Sequence, residues 1–169
     1  MCRSPQSGFS LIAAIFLLVV LALMGTLVVS ITSMQSASGQ LDLSGVRAYQ
    51  AARAGTEWAA YQVLDPDNAL NPASCSPVVM PSCAASPTNL SSLGGTLSSF
   101  TVTVTCTQAA DTTESNRNVR VFQIVATACN QGGSCPNASP TSGYVERRLE
   151  ATFSKCKDST ATAPRCSCG

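Results

Sequence analysis

The sequence contains no histidine at all, only 5% aromatic residues and only 11% charged ones. Without an imidazole, a Ser-His-Asp triad, a Cys-His pair and a His-rich zinc site are all excluded. The few charges nearly cancel, with ten Lys and Arg against nine Asp and Glu. Nucleic-acid affinity rests on clustered basic side chains, so nucleic acid is not an expected partner. No glycine loop of the Walker kind and no convincing carboxylate pair occurs either. The chain is therefore read as a non-enzyme, with no catalytic residue, no cofactor and no metal ligand assigned. Two further absences are local: no charge lies between Arg3 and Asp42, and no proline between Pro5 and Pro66.

A stretch free of both charge and proline can form one unbroken helix and can enter lipid. From Phe9 to Val29 it is apolar almost throughout, and about 20 apolar helical residues cover a hydrocarbon core of roughly 30 Å. The run is longer than the roughly 7–15 apolar residues of a cleaved secretory signal. Arg3, the sole N-terminal charge, favours a cytoplasmic N-terminus and an exported C-terminal part.

The helix is expected to continue from Phe9 to about Leu64, since Leu, Ala, Met and Gln favour it and Asp65-Pro66-Asp67 ends it. At about 1.5 Å per residue it would be about 84 Å long, more than a bilayer needs, so its second half must pack on a soluble domain. Gly25, Gly39 and Gly45 are soft spots, each costing about 1 kcal/mol against Ala. After Asp42 the pattern turns amphipathic. Leu43, Val46, Tyr49, Arg53, Ala60, Tyr61 and Leu64 fall near one stripe, while Ala48, Ala52, Gly55 and Ala59 make a small-residue seam that lets a sheet or helix approach closely. Trp58, Tyr61 and Tyr49 are expected to pack between helix and sheet.

Residues 65–97 are rich in Pro, Ser, Ala and Asn and read as an irregular loop. Residues 98–108 (SSFTVTVTCTQ) then alternate with period two, Phe100, Val102, Val104 and Cys106 facing one way and threonines the other, which is a strand signal. Strands are also expected over 118–129 and 144–153, and their connections suit an antiparallel meander. Arg147 stands among the apolar residues of the last strand and is expected to pair with Glu57. The tail KCKDSTATAPRCSCG reads as polar and irregular.

Of nine cysteines, Cys2 lies in the first segment. The other eight, Cys75, Cys83, Cys106, Cys129, Cys135, Cys156, Cys166 and Cys168, all lie beyond residue 70, an even set that indicates disulfides in an oxidising compartment. Local spacing suggests Cys75–Cys83 and a Cys129–Cys135 link closing a turn through Gly132-Gly133. Cys106 ends one strand and Cys156 follows another, so these could join across the sheet. Cys166 and Cys168 are expected to bond elsewhere, since a one-residue ring is strained. Zinc at Cys166-x-Cys168 is the competing, disfavoured reading.

The junction Gly8-Phe9-Ser10-Leu11-Ile12 resembles the processing site of type IV pilins and type II secretion pseudopilins. Three segments, GFSLIAAIFLLVVLALMG, RAYQAARAGTEWAAYQVL at 47–64 and YVERRLEATF at 144–153, are similar to minor pilin-like proteins of mannose-sensitive haemagglutinin (MSHA) pilus systems, with PilX-type minor pilins next. The resemblance implies a pilin-like α+β fold: a long N-terminal helix on an antiparallel meander with disulfide-stapled loops. It divides the chain into a leader (1–8), a transmembrane or filament-core half-helix (9–30), an amphipathic half-helix (31–64) and a cysteine-rich β domain (65–169).

The same resemblance implies cleavage by prepilin peptidase between Gly8 and Phe9, N-methylation of Phe9, and residence in the inner membrane before export into a pilus. Implied partners are other pilins and minor pilins, prepilin peptidase, the inner-membrane assembly machinery and the lipid bilayer. The family usually carries Glu where this chain has Ala13, thought to pair with a neighbouring subunit's N-terminal amine. Its loss implies a place at the pilus tip or in initiation, or else simply scarce incorporation. A pilus adhesin binding through loops 65–97 and 129–143, and a single-pass anchored periplasmic protein, stand as alternatives.

Overall fold

The computed structural model describes residues 9–64 and 73–168, and the chain divides into two units, one ending at Asp42 and one beginning at Leu43. Helix α1 runs Phe9–Leu64. Strands β1 (Thr88–Leu90), β2 (Thr101–Gln108), β3 (Thr112–Glu114), β4 (Arg117–Cys129) and β5 (Glu146–Asp158) form one antiparallel sheet. The fold is α+β. Gly8 and the expected helix stop at Asp65-Pro66-Asp67 lie outside the described residues.

Among the described residues of the first unit no side chain joins the buried core. Leu11, Phe16, Leu18, Leu21, Leu27 and Val29 are each more than 60% exposed. Burying one such side chain is worth about 1.5–3 kcal/mol, so these six represent roughly 10–20 kcal/mol left unrealised by the isolated chain. Several hydroxyls in this unit turn back on the helix: Thr26 Oγ1 donates to the Leu23 carbonyl at 2.8 Å, and Thr32 Oγ1 to that of Val28 at 2.9 Å. Such bonds let a hydroxyl enter an apolar medium without an orphaned donor.

In the second unit the seam of small residues does the packing. Gly45, Ala48, Ala51, Ala52, Gly55, Ala59 and Val63 are buried, and the alanines and Val63 share a core with Phe100, Val102, Val104, Phe122, Ile124, Ala126 and Ala128. A Cβ on Gly55 would stand 2.6 Å from Val102 Cγ1 and 3.2 Å from Val104 Cγ2. Helix and sheet are thus closer here than any side chain allows. Ala126 and Ala128 complete the fit from β4, paired in register with Val104 and Val102.

Large residues of the helix go elsewhere. Trp58 packs against the core as expected, but Tyr49 and Tyr61 are 44% and 57% exposed, facing away from the sheet rather than into it. Close approach selects small volume, not apolarity, and that expels both rings. Glu57 pairs with Arg53 one turn back at 2.8 Å, not with Arg147. The Arg147 guanidinium instead reaches over the helix, where a Cβ on Gly45 would meet its Nη2 at 3.1 Å.

The sheet departs from the expected meander in detail. Residues 65–97 are not wholly irregular, since Thr88–Leu90 pairs with β2 and a 3-10 turn covers Gly95–Leu97. Both β2 and β3 pair with the same edge of β4, β2 up to Gln108↔Phe122 and β3 from Thr112↔Val119. Strand β5 runs on through Asp158, because it follows β4 over its whole length. The tail is not free either: the Asp158 amide donates to the Cys166 carbonyl at 2.8 Å, and Lys157 bridges to Ser167. Lys155 Nζ donates to the Leu64 carbonyl at 2.7 Å. That bond satisfies one of the acceptors a helix end leaves open, with a cation at the favourable end of the dipole.

Candidate functional site

Four disulfides join Cys75–Cys166, Cys83–Cys106, Cys129–Cys135 and Cys156–Cys168. The Cys129–Cys135 link closes the turn after β4, and Cys166 and Cys168 each bond elsewhere. Two local expectations are overturned. Cys83 bonds Cys106 instead of Cys75, because β1 runs antiparallel beside β2 and carries the residues ahead of it along the same edge. Two hydrogen bonds mark that approach: the Cys106 amide donates to Ser86 Oγ at 3.0 Å, and the Cys83 amide to Gln108 Oε1 at 2.8 Å.

Cys106 cannot reach Cys156, since β4 lies between their strands. Cys106 is level with Ile124 and Cys156 with Val119. The offset is two strand spacings of about 4.8 Å and five residues of about 3.4 Å each, against a Cα span of about 4.4–6.8 Å for a disulfide.

The charged side chains act as ties between segments. Arg120 clamps Asp111, with Nη2–Oδ2 at 2.8 Å, and its Nη1 donates to the Pro81 carbonyl at 2.8 Å. The hydrogen bond from Arg120 holds the Asp111 carboxyl below its ordinary range, against a smaller opposing effect of burial. Asp158 is likewise lowered, first by the Thr160 hydroxyl and then by the Thr160 amide. Tyr144 is raised by burial first and by its hydrogen bond to Glu146 second. Lys157, almost fully buried, donates from Nζ to the Arg165 carbonyl at 3.0 Å.

Among the described residues no group of three or more His, Cys, Asp or Glu side chains converges as a metal site would. A cavity of about 10 Å³ lies against Trp58, Val63, Val104 and Cys106, room for no more than about one water. A more open groove of about 640 Å³ runs past Glu114, Asn116, Arg117 and Asp158, the last two already paired with each other.

What the chain presents instead is helix surface. Phe9 is the first residue of α1, and Ala13 has intermediate exposure between exposed Ile12 and Ala14. Along the second half, Leu43, Val46, Tyr49 and Tyr61 stand exposed away from the sheet. The sequence contained that signal: the stripe and the seam were both visible, and only which of them faced the sheet had to be decided.

Taken together, this is an α+β chain whose N-terminal helix is long and apolar enough to cross a membrane and whose second unit carries four disulfides. No family model matches the chain, nor does any curated protein or solved structure.

Proposed function

We propose that the chain is a membrane-anchored prepilin: a minor subunit of an MSHA-type pilus, of the MshP kind, acting in pilus biogenesis by helix packing. The observation that carries the reading is one helix with two different partners. Its second half is buried by its own sheet along Gly45–Val63, while residues 11–34 present apolar side chains that stand exposed among the described residues. A bilayer can cover them before assembly and neighbouring pilin helices afterwards. Small residues such as Ala13, Ala14, Ala22 and Gly25 suit close helix approach in lipid. The N-terminus is then cytoplasmic and the disulfide-bearing unit periplasmic, later extracellular.

The test is the mature N-terminus, read by intact mass and N-terminal sequencing of the protein from membranes of a prepilin-peptidase-positive Gram-negative host. The expected start is N-methyl-Phe9, and a bulky residue in place of Gly8 should abolish the cut. A start at Met1 in the unaltered protein would sink the prepilin reading and leave a single-pass anchored protein.

Ala13 supports a place at the tip or in initiation, where no neighbouring amine needs a carboxylate. Ala13→Glu should raise the copy number per filament and move the subunit from the end into the shaft, as counted by immunogold labelling. Unchanged position and number would count against the tip.

A further inference from the structure

Cys75 and Cys166 are joined across 91 residues, yet Cys83 stands only eight residues from Cys75. For a flexible chain, the chance that two thiols meet falls as about the −3/2 power of their separation. On chain entropy alone Cys75 therefore meets Cys83 about 40-fold more often than it meets Cys166. Cys83 in turn meets Cys75 about 5-fold more often than its native partner Cys106, 23 residues away.

Little in the fold corrects this beforehand. Residues 73–87 contain neither strand nor helix. Ser74 and Ser76 hydrogen-bond to each other, and the bonds to the sheet begin at Pro81 and Cys83. Cys166 comes from the far end of the chain and sits buried in a left-handed conformation, φ 49°. Its place is fixed by the end of β5, where the Asp158 amide donates to the Cys166 carbonyl at 2.8 Å and Lys157 bridges to Ser167.

We infer that folding of the second unit passes through a Cys75–Cys83 mispair, and that a thiol–disulfide isomerase is the partner that speeds its conversion to the native bonds. A thiolate of that partner attacks the Cys83 sulfur, forming a mixed disulfide and releasing Cys75 as a thiolate. The Cys106 thiolate then displaces the partner's thiolate and forms Cys83–Cys106, with no net oxidation. The Cys75 and Cys166 thiols close last, passing two electrons to an oxidising disulfide, which becomes a dithiol, with their two protons going to it or to solvent.

This goes beyond the pilus reading and does not depend on it, because the test reads only the bond map. The full chain, reduced and unfolded in detergent, is reoxidised with oxidised glutathione, with and without catalytic amounts of a purified disulfide isomerase. Bonds are followed by peptide mass mapping under non-reducing conditions. Without isomerase, the Cys75–Cys83 peptide should appear before Cys75–Cys166 and in at least 10-fold excess over it; isomerase should speed conversion to the native bond at least 10-fold. A Cys83→Ser/Cys106→Ser variant should form Cys75–Cys166 without isomerase at the catalysed rate. If it fails to fold, Cys75→Ser/Cys166→Ser serves, since its three remaining bonds should form without isomerase. Equal rates for the unaltered chain with and without isomerase, or an undiminished acceleration by isomerase in the variant that folds, would overturn the proposal.

Discussion

Gly55→Val should cost the second unit about 3 kcal/mol, a large share of the roughly 5–15 kcal/mol that keeps a domain folded. The reason is local. Even a Cβ at this position would sit 2.6 Å from Val102 Cγ1, and Val102 is itself fully buried. A β-branched core residue cannot swing aside, so the helix must lift off the sheet or β2 must bend. Helix propensity pulls the other way, since a glycine in a helix interior costs about 1 kcal/mol against Ala, but the steric effect is the larger. The check is urea unfolding of the full chain in detergent, followed by the fluorescence of Trp58. Gly39→Val is the control: a Cβ there meets nothing within 4 Å, and its midpoint should stay within about 0.5 kcal/mol of the parent. Equal effects at the two glycines would mean that the close approach at Gly55 is not what the domain depends on.

The second large effect belongs to the longest covalent loop. In the chain-entropy account, closing the 91-residue loop of Cys75–Cys166 stabilises by about 4–5 kcal/mol and closing the 6-residue loop of Cys129–Cys135 by about 2 kcal/mol. Cys75→Ser/Cys166→Ser should therefore lower the unfolding free energy about twice as much as Cys129→Ser/Cys135→Ser. Denaturant titration of the two double variants and the oxidised parent decides it. The opposite order would show that local geometry at the turn after β4 matters more than loop length.

The helix was legible because its signal is an absence: no proline from residue 6 to 65 and no charge before Asp42. Strand β2 was legible because TVTVTCT alternates strictly. Strand β4 was expected over 118–129, all but its first residue, and the strand expected over 144–153 covers β5 from Glu146 to Phe153 but starts two residues early. What escaped was short or polar. Thr88–Leu90 and Thr112–Glu114 are three residues each, too few to show a period. The end of β5, Ser154–Asp158, has no apolar face to betray it; it is a strand because β4 is there to pair with. Cys129–Cys135 was legible from its spacing, but the three longer pairings escaped for the same reason as the short strands, since strand order, not spacing, decides which of those thiols meet. The orientation of α1 turned on volume: a seam of alanine and glycine wins the sheet over a stripe containing two tyrosines, although the tyrosine stripe is the more conspicuous in the sequence. The surface of residues 11–34 was legible as apolar; that it stands exposed among the described residues needed the structure.

Between Leu11 and Val29 the one polar side chain is Thr26, and its hydroxyl is already engaged by the Leu23 carbonyl. Apart from Thr26 and the Met24 thioether, whatever surrounds this segment meets hydrocarbon, with no charge or amide to grip at a fixed height. Rotation about the helix axis or a slide by one turn of about 5.4 Å exchanges one set of methyl contacts for another of nearly equal worth. The depth at which the rod sits must then be dictated by its ends, as a smooth piston is stopped by its head and not by its bore.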